Sequence, residues 1–350
     1  MHLKQDLRDL KRLEEILKVF MEEGWGYYLH RAKLHYHLPF LQRWRPHFPF
    51  KDKEEQAARL RRVFERLGPT FIKLGQLLSL RPDLVPEEFC KEFEKLQDHV
   101  PTFPLSQAIK IIEDDLGQPI HKLFRKFESK PVAAASMAQV YRAELKNGKE
   151  VAVKVQRPNV KEIIDADLDL LFFLAHQLEN HFPTLRKNRP VDIVREFALW
   201  TRKELNFDIE ARSALRLKEE LKNNPNVRVP EIYKEYSSRR VLTLEYIDGV
   251  KINDFAALKK LHLNRKKIAL TYFISILEQA FMHGFFHADP HPANIFVQKD
   301  GKLVYLDFGI MGELNYEDRL KIIHFITSIP EKDPEKSFQI VLSLAREVDP

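Results

Sequence analysis

The side chains with the clearest chemical spacing lie in the last quarter of the 350-residue chain. Asp289 is followed five positions later by Asn294, and Asp307 begins an Asp-Phe-Gly sequence after a short apolar run. Phosphoryl transfer needs one carboxylate near the attacking hydroxyl, and an amide with a second carboxylate to hold Mg²⁺ against a triphosphate. The pattern therefore predicts a phosphoryl-transfer site with Asp289 as the catalytic carboxylate and Asn294 and Asp307 as Mg²⁺ ligands.

The loop that would carry these residues is expected to be rigid. Pro290 and Pro292 have fixed φ angles and lie between Asp289 and Asn294. Asp307 is expected at the end of the strand that follows. The sequence thus predicts a stiff catalytic loop, a short apolar strand and a second strand that ends at a metal-binding carboxylate.

A long apolar helix over residues 264–284 is expected to lead into this loop. Its most membrane-like part, residues 268–286, contains Glu278, Gln279 and His283. Polar residues inside so short a run favour a buried core helix over a membrane span.

An Asn147-Gly148 turn between two alternating apolar runs predicts a β-hairpin. The second strand would place its valines on one face and Ala152 and Lys154 on the other. Lys154 is expected to hold the α- and β-phosphates of a nucleotide, with Ala152 beside it in the pocket. No glycine occurs between Lys130 and Val140, so the phosphate-covering loop is expected to be stiffer than a glycine-rich loop. The loop residues expected over the nucleotide are Ala133, Ala134, Ala135, Ser136, Met137, Ala138, Gln139 and Val140.

Two helices are predicted after the hairpin, over residues 160–179 and 191–222. On a single second helix, Asn206 and Glu210 would share a face and Glu204 would be rotated away from Glu210. Such a helix would offer Glu210 to Lys154 and Glu204 to a different cation. Solvated surface carboxylates are the alternative.

Two strands and a hinge are predicted over residues 227–233 and 240–249. The hinge backbone could pair with an adenine edge through the carbonyl of Glu245 and the amide of Ile247. Leu244 would lie at the back of the pocket.

The first 80 residues are predicted to be helical, with helices over 1–20, 52–67 and 70–80, the last preceded by Pro69. Gly75 inside the third helix indicates close backbone approach by another element. Residues 21–50 are rich in aromatic and basic side chains, which fits either a membrane interface or packing within the protein. The histidines of this segment are not spaced as metal ligands; they are His30, His35, His37 and His47.

The composition describes a folded protein with room for about two domains. Hydrophobic residues make up 44% and charged residues 31%. The net charge of +6 suits an anionic partner but does not choose among nucleotide, lipid and nucleic acid. The single cysteine, Cys90, excludes an internal disulfide framework, fits a reducing compartment and is interpreted as a buried thiol.

Together these motifs resemble the UbiB-type atypical kinases, the aarF-domain family that includes the ADCK and Coq proteins. The resemblance covers residues 53–325. Lys73-Leu74-Gly75-Gln76 is similar to the family's KxGQ signature, and residues 133–136 are similar to its alanine-rich loop. Its strand lysine, its ExD element and its catalytic set are matched by Lys154, by residues 204–206, and by Asp289, Asn294 and Asp307.

The resemblance implies an α+β, protein-kinase-like two-lobe fold with an added helical N-terminal KxGQ domain. The implied domains are 1–128 for the helical extension and KxGQ domain, 129–248 for the N-lobe and 249–350 for a truncated C-lobe. By resemblance, Lys73 would enter the pocket and pair with Glu204, while Lys154 pairs with Glu210. One departure lies at the second acidic position of ExD, which is Asn206 and lacks the charge of a metal-binding carboxylate.

The family further implies ATP and Mg²⁺ as cofactors and a role in ubiquinone or other isoprenoid-lipid biosynthesis. The expected partners are an anionic membrane surface, an isoprenoid or quinone lipid and other lipid-biosynthesis proteins, without nucleic acid. The expected location is the cytoplasmic side of a membrane, peripheral or with a C-terminal anchor outside this chain.

Several functions stay open on the sequence. An ATP-dependent kinase or ATPase is the leading hypothesis. A pseudokinase that acts as a nucleotide-gated lipid- or partner-binding module is favoured by the alanine loop and Asn206. An ordinary protein kinase ranks lower, because the KxGQ domain would block a polypeptide. A metalloenzyme using His283, His287, Asp289 and His291 ranks lowest, because no H-E-x-x-H motif occurs.

Overall fold

The computed structural model describes residues 2–27, 52–96, 102–181, 186, 189–289, 291–331 and 334–344. Two compact units divide the chain. Unit 1 comprises Met1–Lys122, Lys126–Arg142 and Lys154–Leu205, and unit 2 comprises Leu123–Arg125, Ala143–Val153 and Asn206–Pro350. The predictions for the aromatic and histidine residues from 28 to 50, and for Pro290, fall outside the described residues.

Helices dominate the described part of unit 1 and the end of unit 2. Thirteen α-helices are described: α1 (His2–Glu22), α2 (Lys53–Leu67), α3 (Pro69–Ser79), α4 (Glu87–Phe93), α5 (Leu105–Leu116), α6 (Ile120–Leu123), α7 (Val160–His181), α8 (Pro190–Glu204), α9 (Phe207–Glu220), α10 (Phe255–Lys260), α11 (Arg265–Leu277), α12 (Tyr316–Glu331) and α13 (Pro334–Leu344).

Local signals explain where several helices begin and end. Asp52 caps α2, since its Oδ1 accepts a hydrogen bond from Glu55 N at 2.6 Å. Pro69 occupies the first position of α3, where its missing N–H is not needed. Gly117 ends α5 in the left-handed conformation at φ 67°. The predicted helices over 1–20, 52–67 and 70–80 are therefore confirmed within one or two residues.

The predicted single helix over 191–222 is wrong. α8 ends at Glu204, and Asn206 is extended, with φ −124° and ψ 95°. The Asn206 side chain accepts a hydrogen bond from Asp208 N at 3.1 Å and so caps α9. Asparagine favours this position over a helix interior, because its side chain competes for backbone amides. The face shared by Asn206 and Glu210 does not exist.

Eleven short strands are described: β1 (Phe124–Phe127), β2 (Ala133–Ala134), β3 (Ala138–Leu145), β4 (Glu150–Gln156), β5 (Val227–Arg228), β6 (Val241–Glu245), β7 (Val250–Lys251), β8 (Phe285–His287), β9 (Ile295–Val297), β10 (Leu303–Tyr305) and β11 (Met311–Glu313). They form a five-stranded sheet in the order β1-β3-β4-β6 with β2 beside β3, a four-stranded sheet β5-β10-β9-β7 and a pair β11-β8.

The hairpin predicted between β3 and β4 is present. Gly148 lies at φ 83°, and the amide of Leu145 donates to the carbonyl of Lys149 at 2.9 Å. Val151, Val153 and Val155 are completely buried, as the alternating pattern predicted.

The core of unit 1 contains stacked aromatic rings and is tightly packed around Gly75. Phe64 and Phe93 stack with ring centroids 5.2 Å apart. A Cβ atom on Gly75 would lie 2.2 Å from Leu96 Cδ1 and 2.8 Å from Phe64 Cδ2. Another element does come close to Gly75, but through the side chains of Phe64 in α2 and Leu96 after α4 and not through its backbone, as the sequence had predicted.

A buried charged cluster ties α1, α3 and α7 together within unit 1. The guanidinium of Arg12 donates to both carboxylate oxygens of Asp167, at 2.6 and 3.2 Å, and to the carbonyl of Leu67 at 2.6 Å. Thr70 Oγ1 donates to Asp167 Oδ2 at 2.5 Å. Asp167 has no exposed surface. We call Arg12, Thr70 and Asp167 the Asp167 clasp.

The apolar helix α11 differs from the predicted buried core helix. Ile268 and Ser275 are buried, but Leu270, Phe273 and Ile274 are more than half exposed. The helix is apolar on two faces. One face contacts β10 within unit 2, and the other is exposed in the part of the chain that the structure describes. Among the described residues, no helix is both long and apolar enough to cross a membrane.

Candidate active site

Strand register in unit 2 places Asn294 beside the segment that carries Asp307. β9 and β10 are antiparallel, with Ile295 opposite Tyr305. One position further, the amide of Leu306 donates to the carbonyl of Asn294 at 2.9 Å. Asn294 is the last residue of a 3₁₀ turn, Pro292–Asn294. The two residues predicted to bind Mg²⁺ therefore leave adjacent strands at the same end.

A second strand pair holds the segment of Asp289 against the same region. β8 pairs with β11, with His287 opposite Met311. Beyond β8, the amide of Ala288 donates to the carbonyl of Ile310 at 3.1 Å. His287 Nε2 contacts the backbone carbonyl of Asp307 at 2.5 Å. The structure thus brings Asp289, Asn294 and Asp307 together within unit 2.

The three polar side chains present a set of oxygen donors. Asn294 Nδ2 lies 3.4 Å from both the carbonyl oxygen and the Oδ2 atom of Asp289. Asp307 Oδ1 accepts a hydrogen bond from Gly309 N at 2.9 Å. Carboxylate and amide oxygens are ligands that Mg²⁺ prefers, and it is usually held by one or two carboxylates plus substrate phosphates. The residues present therefore fit Mg²⁺ bound with a nucleotide.

A metal ion bound here would need the amide oxygen of Asn294 or an oxygen of a bound nucleotide among its ligands. In the part of the chain that the structure describes, no three His, Cys, Asp or Glu side chains gather as a metal-binding group. The structure gives no support to the metalloenzyme hypothesis built on His283, His287, Asp289 and His291.

His287 links the two segments as a neutral side chain. Its Nδ1 accepts a hydrogen bond from Asp289 N at 3.3 Å, so Nε2 carries the proton and donates to Asp307. Burial lowers the pKa of His287 below its ordinary value of 6.5, against the opposing charges of Asp307 and Asp289. Both ring nitrogens are engaged, so His287 supports the two segments and has neither nitrogen left for a metal.

The predicted hinge also lies in unit 2. Leu244 and Ile247 are buried, and so is Ala152 in β4. The carboxylate of Glu245 accepts a hydrogen bond from Arg228 at 2.5 Å. The amide of Tyr246 donates to the carbonyl of Glu150 at 3.2 Å, which fixes the backbone between the two predicted adenine-binding positions.

The alanine loop of unit 1 is a closed and anchored hairpin. Ala133 pairs with Val140, and the amide of Ala135 donates to the carbonyl of Ala138 at 2.8 Å. The guanidinium of Arg157 donates to the carbonyl of Ala135 at 3.0 Å. Gln139 is fully buried and exchanges hydrogen bonds with the backbone of Phe103 at 2.9 and 3.2 Å. In the segment 132–140, all residues are described and none has a positive φ, consistent with alanine in place of glycine.

Unit 1 brings the predicted partners Lys73 and Glu204 together. The Lys73 ammonium and a Glu204 carboxylate oxygen form an ion pair, and each side chain is 19% exposed. Glu204 ends α8, so the break before α9 leaves its carboxylate at a helix terminus.

Lys154 and Glu210 are assigned to different units. Lys154 is half-buried in β4 and belongs to unit 1. Glu210 lies in the first turn of α9 in unit 2 and is 2% exposed. Their pairing stays a prediction.

Sequence reasoning missed a polar network beneath the catalytic loop. Ser275, Gln279 and Tyr305 are all fully buried. They contact one another or the backbone of His287. The sequence feature that could have indicated this network is the spacing of Ser275 and Gln279. They lie four residues apart in an apolar helical stretch and so share one face.

Strand-held acidic residues, a hinge and an anchored loop after helical segments define a kinase-like protein with an α+β fold. Residues 95–341 match the family described as "ABC1 atypical kinase-like domain". The chain belongs to this family, which confirms the resemblance to UbiB-type kinases and the predicted kinase-like fold.

Named relatives agree with this assignment. "Protein ACTIVITY OF BC1 COMPLEX KINASE 7, chloroplastic" of Arabidopsis thaliana is 44% identical over 292 residues, covering 83% of this chain and 42% of the relative. "Probable protein kinase UbiB" of Marinobacter nauticus is 38% identical over 297 residues, covering 84% of this chain and 54% of the relative. The chain thus spans about half the length of the curated relatives it matches.

A solved structure has a related fold. The structure described as "The complex structure of Rv3197-erythromycin from Mycobacterium tuberculosis" is 26% identical, with a TM-score of 0.58. The match covers 85% of this chain and 76% of that chain.

Proposed function

We propose that this protein binds ATP with Mg²⁺ and transfers or hydrolyses its terminal phosphate in the service of ubiquinone or other isoprenoid-lipid biosynthesis. The observation that carries the proposal is the convergence of Asp289, Asn294 and Asp307 through the β9–β10 register and the β8–β11 pair. Each is the side-chain type that its proposed role in phosphoryl transfer requires.

In this proposal Asp289 accepts the proton of the attacking hydroxyl or water. Asn294 and Asp307 hold Mg²⁺, whose chemistry is to neutralise charge on the phosphate oxygens. His287 stays neutral and fixes the backbone of both segments through its two ring nitrogens. Lys154 is proposed to bind the α- and β-phosphates, and Glu210 to orient Lys154.

The KxGQ element is proposed to keep polypeptides out of the site. Lys73 forms its ion pair with Glu204 and lies on a helix anchored by the Asp167 clasp at Thr70. A lysine held in this way is not free to bind a substrate carboxylate or phosphate. The resemblance to UbiB-type kinases, in which the KxGQ element covers the site, is what favours a small-molecule acceptor, or water, over a protein substrate in this proposal.

A membrane surface is the proposed place of action. The net charge of +6 suits anionic lipid, and the exposed apolar residues of α11 follow directly after Lys266 and Lys267. Basic residues beside an exposed apolar stripe favour binding at a lipid interface. The protein would then act peripherally on lipid-soluble substrates or their biosynthetic partners.

The second candidate function is a pseudokinase that binds nucleotide without turnover. The closed alanine hairpin favours it, because the Ala135 amide is already bonded to Ala138 and is not offered to a phosphate. Asn206 also favours it, because its side chain caps α9.

The test is phosphate release from ATP with Mg²⁺, with and without anionic liposomes and a quinone-precursor mimic. We expect lipid to raise the rate, and Asp307→Asn to lower it by about 100-fold or more, because it removes a charge that stabilises the transferring phosphoryl group. The asparagine oxygen can still accept the Gly309 amide, so the local fold should survive.

Asp300→Asn is the matched control. It makes the same chemical change at the turn between β9 and β10, where Asp300 Oδ1 accepts a hydrogen bond from Lys302 N at 3.1 Å. Release that continues unchanged in Asp307→Asn would contradict catalysis at this site. Nucleotide binding without release under every condition would favour the pseudokinase.

A further inference from the structure

A π-helical turn, Glu278–His283, follows α11 and leads into β8. π-Turns are rare and occur frequently at functional sites. Gln279, at its second position, and Ser275, one turn earlier in α11, have no exposed surface. Burying polar side chains in an apolar helix is unfavourable unless their hydrogen bonds are satisfied. Their contacts should therefore explain why they are there.

Gln279 and Ser275 connect the catalytic loop to the strand before Asp307. Gln279 Oε1 accepts a hydrogen bond from His287 N at 3.0 Å, and Gln279 Nε2 donates to Ser275 Oγ at 3.1 Å. Ser275 Oγ in turn lies 3.1 Å from the Tyr305 hydroxyl. The His287 ring stacks on the Tyr305 ring with centroids 5.4 Å apart. We call Ser275, Gln279, His287 and Tyr305 the Gln279 network.

We propose that Gln279 is a positioning residue that sets the placement of Asp289 relative to Asp307. His287 lies two residues before Asp289, and Tyr305 lies two residues before Asp307. The Gln279 side chain thus contacts one short segment directly, at His287, and the other through Ser275, at Tyr305. Each contact lies two residues before a carboxylate. The inference rests on the proposed function, because it assigns Gln279 to the site that would hold nucleotide and Mg²⁺.

The chemistry of an amide suits this position. The backbone amide of His287 needs an acceptor, and Ser275 Oγ accepts a hydrogen bond. The side chain at position 279 must therefore supply both an acceptor and a donor. Glutamine does so without adding charge beside Asp289 and Asp307. A carboxylate would supply only acceptors, and a methionine of similar length would supply no strong hydrogen bond.

The turn itself holds the backbone of Gln279. The amide of Gly284 bonds to the carbonyl of Gln279, and Gly284 lies at φ 71°. A Cβ atom there would lie 2.6 Å from the carbonyl oxygen of Leu314, so the chain leaves the turn along a fixed path. Both the side chain and the backbone of Gln279 are therefore tied to the start of the catalytic loop.

The experiment measures ATP affinity by calorimetry in Mg²⁺ and in EDTA, on the full chain. The ratio of the two affinities reports how well the carboxylates engage the metal, and it does not require turnover. We expect Gln279→Met to lower this ratio about tenfold. Misplacement by about 1 Å can lower a reaction rate about 100-fold, and metal binding by the same carboxylates should depend on the same geometry to a lesser degree. ATP affinity in EDTA should stay within about twofold, because the metal ligands do not contribute there.

Gln279→Glu is the conservative variant. Its buried carboxyl should have a raised pKa, and its protonated form regains a donor for Ser275. We expect its Mg²⁺ ratio, relative to the unchanged chain at each pH, to be nearer normal at pH ~6 than at pH ~8.

Ile268→Ala is the control for general loosening. Ile268 is 5% exposed on the same helix and carries no polar side-chain group. It should lower thermal stability and leave the Mg²⁺ ratio unchanged. A normal ratio in Gln279→Met, or an equal fall in Ile268→Ala, would overturn the positioning role. No ATP binding by the unchanged chain would refute the proposed function, and with it this role.

Discussion

Each unit holds its candidate site residues with a buried polar cluster, and the two clusters differ in charge. The Asp167 clasp of unit 1 pairs a guanidinium with a carboxylate that has no exposed surface. The Gln279 network of unit 2 contains only an amide, two hydroxyls and a histidine whose pKa is lowered by burial. The clasp joins three helices, whereas the network supports two short segments that end in carboxylates.

The difference indicates what each site can tolerate nearby. Buried ions make strong demands on geometry, which suits the fixing of helices α1, α3 and α7. A buried charge under Asp289 and Asp307 would instead shift their pKa values or compete with Mg²⁺. A neutral network can position the two carboxylates without adding a further charge to the electrostatic field around them.

The largest effect is expected from Arg12→Met, which leaves Asp167 buried without its cation. Breaking a buried pair in this way costs about 3–5 kcal/mol, so the free energy of unfolding in urea should fall by that amount. The double variant Arg12→Met/Asp167→Asn should recover most of the loss, because no buried charge remains.

Arg66→Met is the exposed counterpart. Arg66 lies 3.1 Å from Glu23, and its side chain is 40% exposed. We expect a loss below about 1 kcal/mol. Equal losses for Arg12→Met and Arg66→Met would contradict the importance given to the clasp.

Gly75→Ala should be the next largest, because α3 has no room for a methyl group. The new Cβ would meet Leu96 and Phe64, and overpacking of this kind costs about 1–3 kcal/mol. Better helix propensity would offset only about 1 kcal/mol. We expect a lower thermal midpoint, with a smaller effect of the substitution in a Leu96→Ala background. Additive effects of the two substitutions would show that the contact with Leu96 does not cause the loss of stability.

A smaller, pH-dependent effect should come from His287. Its pKa is lower in the folded protein than its ordinary value of 6.5, so the unfolded chain binds the proton more readily. The stability due to the neutral ring is therefore present above pH 6.5 and is lost as the pH falls below that value. Urea unfolding of His287→Asn should show a shallower decline across this range. An unchanged slope would contradict the neutral assignment.

The smallest effect is expected from Asn206→Asp. Both side chains cap helices well, so stability should change by less than about 0.5 kcal/mol. Because Asn206 accepts the Asp208 amide, we also expect the Mg²⁺ ratio of ATP affinity to stay within about twofold. A rise of several-fold would restore the interpretation of this position as a metal ligand.

The parts of the fold that follow local rules were predictable from sequence. Asp52 and Pro69 mark helix starts, and Asn147-Gly148 marks the hairpin, because a cap or a turn is decided by a few neighbouring residues. The spacing of Asp289, Asn294 and Asp307 also predicted two short strands after Asn294, and the structure has β9 and β10 there.

What sequence reasoning missed depends on competition or on distant contacts. The break at Asn206 arises because a side chain captures a backbone amide within an otherwise helical pattern. The exposed face of α11 could not be distinguished from its buried face, since both are apolar. The Gln279 network joins residues up to 30 positions apart, which no local pattern reveals.

The π-helical turn also limits how this segment can change in length. A π-turn accommodates one residue more than an α-helical turn, and each residue of an α-helix rotates the chain by about 100°. Deleting one residue between Gln279 and Gly284 would restore α-helical hydrogen bonding while swinging the exit of the helix to a different direction. The backbone amide of His287 would then lose its hydrogen bond to the Gln279 side chain. Substitutions are therefore better tolerated in this segment than a single-codon deletion.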